Sequence, residues 1–253
     1  MTGFRRRTAL RMSRVGSAFD SRGAEVLPPT WSSTPPRTRA SVNLPRPRPL
    51  PSLSASSLAG SRCLGELRAL GIPFQVGPTV RGIITPVLLT GTVNGVKLTP
   101  LWGRKPRLMD CRFAITLHGI AAIARRFGFD EFRYSSFYSY RSVAGSLRLS
   151  RHANGLAVDI HELRGPGGLR VSVLKDWVKA AGTPGDCVAG VKPRKGRLLR
   201  KFACELERSG LLYLVLTPDS DYAHRNHFHL SGLRAGNRPL RWRYAGRRYR
   251  LRP

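Results

Sequence analysis

Four of the chain's six histidines fall in two short segments, and this placement limits what it can fold into. One opens the middle of Ser150-Arg151-His152-Ala153-Asn154-Gly155-Leu156-Ala157-Val158-Asp159. The other three crowd into His224-Arg225-Asn226-His227-Phe228-His229. Two imidazoles and one carboxylate, with a spare imidazole beside them, are the ligand inventory of an open zinc site, which takes three protein ligands and keeps one position free. A fold that uses these residues must lay two remote segments side by side.

Alternate residues of a strand share a face, so His227 and His229 point one way and Phe228 turns the other way, into a core. His152 and Asp159 are an odd number of positions apart and cannot share a regular strand face. A turn between them resolves this, and Asn154-Gly155 supplies it. His152 then belongs on a loop and Asp159 on the strand that follows, with Ala157 keeping that face small. We assign His152, Asp159 and His229 as ligands of one Zn2+ ion. His227 is left as the free imidazole, able to move a proton or steady a developing oxyanion. His224, three positions earlier, is placed to orient it, and Ser150 to cap the turn or bond near the ligands. His161 would share the Asp159 face if the strand ran on. The polar, Gly/Pro-rich stretch 162–168 predicts that the strand ends near Ile160, so His161 reads as structural and ranks as the runner-up ligand. His118 lies on a helix and reads as packing or surface.

Residues 1–60 are rich in Pro, Arg and Ser and read as a disordered tail with polyproline character. A folded domain is expected over 61–233 and a basic extension over 234–253, with one edge strand at Trp242-Arg243-Tyr244. Val80 to Val93 reads as two short strands, with Asn94-Gly95 as a hairpin turn. Phe113, Leu117, Ile120, Ala124 and Phe127 recur at helical spacing, predicting a helix from about Pro106 to Phe127. Strands are expected over Phe132–Arg141, Leu156–Ile160, Leu211–Leu216 and Phe228–Leu230. Helices are expected over Val171–Ala181, with Leu174, Trp177 and Val178 inward, and over Arg197–Ser209.

The formal charge of +30 suits polyanionic surroundings: nucleic acid, anionic lipid or acidic cell-wall polymer. No apolar run reaches about eighteen residues, so no membrane-spanning helix is expected. Phe4-Arg5-Arg6-Arg7 gives a basic start, but Arg11, Ser13, Arg14 and Ser17 break the apolar core that a secretory signal needs. The four cysteines, Cys63, Cys111, Cys187 and Cys204, form no Cys-x-x-Cys pair. An even count suits two disulfides in a non-reducing compartment. Joining Cys187 to Cys204 would close a short loop and leave Cys63 for Cys111, but three pairings are open and the sequence selects none.

At these residues the chain resembles a known group. Ser150 to Asp159 is similar to the Ser-x-His-x-x-Gly-x-Ala-x-Asp signature of D-Ala-D-Ala metallopeptidases. His227-Phe228-His229 is similar to the second half of the site in the lysostaphin, D-Ala-D-Ala peptidase and Hedgehog-like superfamily. Closer still is the bacterial extensin-like C-terminal domain, which the chain resembles in Tyr138-Ser139-Tyr140-Arg141, in Val173 to Trp177 and in Asp221 to His229. The resemblance spans about Cys63 to Ser231. It implies an α+β fold with a small central antiparallel sheet carrying the zinc, flanked by helices. It implies a zinc-dependent metallopeptidase acting on amide bonds of peptidoglycan stem peptides or cross-links, with D-residues, in the periplasm or outside the cell. Arg141 would match the family's arginine, a guanidinium fork for a substrate carboxylate or polarised carbonyl. Two departures stand out. Tyr140 stands where many members carry Cys, and Asn226 stands where several peptidases of the superfamily carry Glu, which shifts the general base to His227. Two other readings compete: a wall-binding or signalling module whose metal is structural, and nucleic-acid binding through the Arg-rich ends, for which no recognised motif is present.

Overall fold

A computed structural model describes residues 58–182 and 186–235. The expectations for most of residues 1–60 and for Trp242-Arg243-Tyr244 lie outside the described residues. In chain order the elements are α1 (Gly60–Ala69), β1 (Phe74–Val76), β2 (Pro86–Leu89), β3 (Lys97–Pro100), β4 (Leu108–Asp110), α2 (Cys111–Arg126), β5 (Glu131–Ser136), β6 (Ala157–Gly165), β7 (Leu169–Ser172), α3 (Val173–Asp176), α4 (Arg194–Arg208), β8 (Leu212–Leu216) and β9 (Phe228–Gly232). A 3-10 turn spans Arg151–Asn154. The fold is α+β, as expected. A three-stranded sheet runs β1-β2-β4, and a six-stranded sheet runs β3-β5-β6-β9-β8 with β7 also on β6. Pairing is antiparallel except where edge strand β3 lies parallel to β5.

Helix α2 sits at the centre. Of the predicted apolar face, Phe113, Leu117, Ile120 and Ala124 are fully buried and Phe127, which caps the helix end, is half-buried; most of the rest of the helix surface is buried too. A helix apolar on nearly all sides is one packed on several partners; α2 contacts α1, α4, both neighbouring strands of the small sheet, and β9. It starts at Cys111, later than predicted, because the buried Asp110 side chain accepts from Arg112 N at 3.0 Å and caps it. Leu108 and Met109, which the helical reading absorbed, pair with β2 instead. The Cys63–Cys111 disulfide ties α1 to this helix start, and Cys187–Cys204 ties the preceding loop to α4.

Other differences have local causes. Within 80–93 only β2 is a strand, pairing with β1 and β4, while Val93 and Val96 bridge across the Asn94-Gly95 turn. Strand β5 stops at Ser136, so Tyr138 to Arg141 is loop and not strand. The helix expected over 171–181 is one turn, because Ser172 belongs to β7, which pairs with β6, and Trp177 returns to extended backbone. Val173 is buried there, and Leu174 is 58% exposed in place of the inward position predicted.

Strand β6 runs five residues past the predicted end at Ile160, to Gly165. Its polar second half is held by β5 on one edge and β7 on the other. The pairing with β5 slips twice: one extra residue on β6 at His161, then one on β5 at Ser135. Paired bulges of this kind break strict alternation and re-aim side chains. That lets Ile160 and Leu163 both be buried, although they are an odd number of positions apart.

Candidate metal centre

Asp159 and His229 are direct cross-strand partners on β6 and β9. Opposed residues of an antiparallel pair share a face, so the carboxylate and imidazole meet without any loop. The pair below them is Ala157 opposite Ser231. Phe228, turned to the other face, is fully buried and lies edge-on to Trp177 at 5.4 Å.

His152 reaches the same point from the 3-10 turn. Ser150 Oγ accepts from His152 N at 3.2 Å and caps that turn. Gly155 ends it in the left-handed region, at φ 62°. A side chain there would be strained twice over, since a Cβ would come within 2.6 Å of Asp110 N. Ser139 N donates to the His152 carbonyl at 3.2 Å, pinning the turn to the chain after β5.

Three ligand atoms converge. His152 Nε2 lies 3.1 Å from Asp159 Oδ1 and 3.1 Å from His229 Nδ1, and His229 Nδ1 lies 2.9 Å from Asp159 Oδ1. Ligand atoms about 2.0–2.1 Å from a tetrahedral zinc ion stand about 3.3 Å apart, so the triangle is close to the size required. The outward nitrogens have partners too. His152 Nδ1 donates to the Phe137 carbonyl at 2.9 Å, which leaves Nε2 bare. His229 Nε2 lies 2.7 Å from Ser231 Oγ, so donation to that hydroxyl leaves Nδ1 bare. Partners of this kind fix the ligating tautomer. Burial alone would raise the Asp159 pKa, but the neighbouring His152 and His229, which stabilise the carboxylate whenever they carry a shared proton, outweigh it and hold the carboxyl well below the usual range. Burial lowers His229. One carboxylate and two bare imidazole nitrogens, 10% exposed or less at Asp159 and His152, form a group that could hold a metal ion.

His227 stands at the rim, its Nε2 3.6 Å from Asp159 Oδ1. Burial, with His161, His224 and His229 nearby, pushes its pKa down to about 4 against the pull of Asp159. Its Nδ1 donates to Asn226 Oδ1 at 2.8 Å, so Asn226 orients it. His224 packs its ring 5.1 Å from that of His227 and is itself held by Asp221, Oδ1 to Nδ1, at 2.7 Å. His161 is not among the converging atoms. The bulge turns it to stack on His227 at 5.0 Å, with Nε2 2.9 Å from Ser135 Oγ. Arg141 lies in an exposed loop, its carbonyl accepting from Ser150 N. His118 is half-buried on α2, away from the group.

Sequence reasoning missed five supports: Phe137, Ser231, Asn226, Asp221 and Ser135. Ser231 had a readable signal, sitting two residues after His229 on the same strand face. Asp221, three before His224, had the spacing of a turn contact. The Phe137 carbonyl is backbone and carries no signal.

The sequence pattern of a family described as extensin-like protein C-terminus matches residues 82–240. Comparisons with curated proteins and with solved structures gave no match.

Proposed function

This chain belongs to the extensin-like protein C-terminus family, and on that premise we propose that it is a zinc-dependent hydrolase of amide bonds in peptidoglycan stem peptides or cross-links, akin to the D-Ala-D-Ala metallopeptidases. The observation that carries the reading is the triangle of His152 Nε2, Asp159 Oδ1 and His229 Nδ1, with both imidazoles turned by outside partners to face it. Three acceptor atoms this close repel one another unless a cation or a shared proton lies between them. Nitrogen and carboxylate donors suit zinc.

A bound zinc ion would polarise an amide carbonyl and acidify a water toward neutrality. The chain's own residues do the rest. His227, with Nδ1 tied to Asn226, presents Nε2 beside Asp159. It accepts a proton during attack and returns it to the departing amine. His224, fixed by Asp221, covers the same side of the cluster, 5.6 Å from the His229 ring. Arg141 serves a substrate carboxylate from its exposed loop. Both disulfides fit work in a non-reducing compartment, in the periplasm or outside the cell.

One observation favours the non-catalytic reading: Asn226 supplies an amide where a carboxylate base would stand, so a metal could be retained for stability alone. The nucleic-acid reading leans on Arg-rich ends that lie mostly outside the described residues. The deciding experiment purifies the full chain without chelator, measures bound zinc, and analyses digests of purified cell wall by mass. We expect one zinc per chain and release of wall fragments that stops on chelation. Zinc bound without fragments would favour the module; no zinc bound would overturn both readings.

A further inference from the structure

Next to the metal cluster runs a second feature that the hydrolytic reading does not use. From His227 the rings step outward: His161 stacks on His227 at 5.0 Å, and Trp102 meets His161 edge-on at 6.3 Å. Trp102 is 58% exposed. Lys105 Nζ sits 5.1 Å over its ring. Trp102 belongs to the loop after β3, and three side-chain hydrogen bonds tie that loop to β5. Arg133 Nη2 donates to the Leu101 carbonyl at 3.1 Å, Tyr134 Oη to the Lys105 carbonyl at 2.9 Å, and Lys105 Nζ to the Ser135 carbonyl at 2.9 Å. Ser135 is also the residue that holds His161. The loop and edge strand β3 border an open, shallow groove of about 570 Å3. Lys97, Arg104, Lys105 and Arg107 line it, and no acidic side chain does. The acid across from Lys97 on the neighbouring strand, Glu131, is approached by Arg164 at 3.8 Å. Thr99 lines the groove as well, and its hydroxyl has no hydrogen-bond partner among the described residues.

Four cations around one concave surface, with no carboxylate among them, favour an anionic occupant by charge complementarity. The ring contacts join that surface to the cluster. We infer that this groove is the subsite for the carboxylate-bearing arm of an acidic peptide. The inference rests on the reading that an amide of the same peptide lies at the metal cluster. Lys105 and Arg104 hold the carboxylates, while Trp102 and His161 form the lip between groove and cluster.

The test is calorimetric titration of the chelated full chain with three probes: a short synthetic peptide bearing free carboxylates, the same peptide with each carboxylate amidated, and a cell-wall disaccharide lacking peptide. We expect the acidic peptide to bind, and amidation or the double change Arg104→Gln/Lys105→Gln to weaken it at least tenfold. Arg62→Gln/Arg194→Gln, which removes equal charge from exposed sites on α1 and α4, should leave it unchanged. Four outcomes would each overturn the subsite: no binding of the acidic peptide, equal binding of the amidated one, tighter binding of the disaccharide, or equal weakening by the remote pair. Zinc content and wall digestion are read on portions of the same preparations taken before chelation. Groove failure with metal-dependent hydrolysis intact sinks only this inference, and groove binding without zinc sinks only the hydrolytic reading.

Discussion

Strand β9 divides two buried polar clusters, and they differ in where the opposing charge comes from. On the face of Phe228, Arg200 is fully buried with its guanidinium over the Trp177 ring at 4.4 Å. It donates to the Val178 carbonyl from Nε at 3.1 Å and to Asp219 Oδ2 from Nη2 at 2.6 Å. Asp219 also accepts from Trp177 Nε1 and Ala180 N, each at 3.1 Å. This cluster brings a cation and an anion of its own. On the face of His229 the chain supplies one carboxylate and bare imidazole nitrogens, and no fixed cation is among them. The first arrangement is balanced in charge by its own residues, although Arg200 Nη1 has no hydrogen-bond partner among the described residues. The second could hold a metal ion as its balancing charge.

The largest effects should separate the two. On the proposed zinc reading, Asp159→Asn removes the charge that would draw the metal and leaves a residue of the same shape. Bound zinc, measured by elemental analysis, should fall from one per chain to near zero, and any hydrolysis should fall by a factor of about a thousand or more. Arg200→Ala should do the reverse. Breaking a buried pair from one side costs about 3–5 kcal/mol, because the other charge stays buried and unpaired. Denaturant midpoints should drop sharply while the folded fraction keeps its zinc. If Arg200→Ala lost zinc at temperatures where it remains folded, the two faces would be coupled and the contrast would fail.

The sequence showed one cluster far better than the other. His152, Asp159 and His229 were legible because local rules place them: period two for His227 and His229, a turn at Asn154-Gly155 between His152 and Asp159. The direct pairing of Asp159 with His229 was not legible, since register between remote strands is a tertiary outcome. Nor was the length of β6, where bulges at His161 and Ser135 break the alternation that pattern reading relies on. The Arg200 cluster was invisible. Arg200 sits in a strongly basic helix, where an arginine reads as solvated, and its acid lies in a loop 19 residues later.

A smaller effect lies beside the self-balanced cluster. Burial pushes the Glu207 pKa up to about 7, against the lowering effect of Arg208 and Arg200, and its Oε1 has no hydrogen-bond partner among the described residues. The folded state therefore resists ionising a group that ionises near pH 4.3 when unfolded. Stability is unaffected by this group at pH 4 and falls as pH rises from about 4.5 to about 7, by on the order of 2–3 kcal/mol at the top of that window. Glu207→Gln should abolish the fall, so the variant should melt above the wild type at pH 8 and level with it at pH 4. A parallel pH dependence in both proteins would assign the fall to another group.

The smallest effect tests how far the metal face depends on what surrounds it. Ser231 touches the cluster only through His229 Nε2, at 2.7 Å, from the strand position opposite Ala157. Ser231→Ala deletes an oxygen without filling or emptying much space, so the fold should keep its melting temperature within a few degrees. The imidazole loses the acceptor that holds its proton on Nε2, and the tautomer with the proton on Nδ1 becomes accessible. That proton occupies the nitrogen that faces Asp159 and must leave before a metal can bind. Loss of such a partner typically weakens metal affinity about 10–100-fold; because Asp159 still draws the ion, the low end, about 1.4 kcal/mol, is expected here. Competition against a chromogenic zinc chelator reads this directly. His152, whose Nδ1 is held by a backbone carbonyl that no side-chain substitution removes, provides the contrast: the two imidazoles are oriented by different means, and only the one oriented by a side chain can be loosened this way.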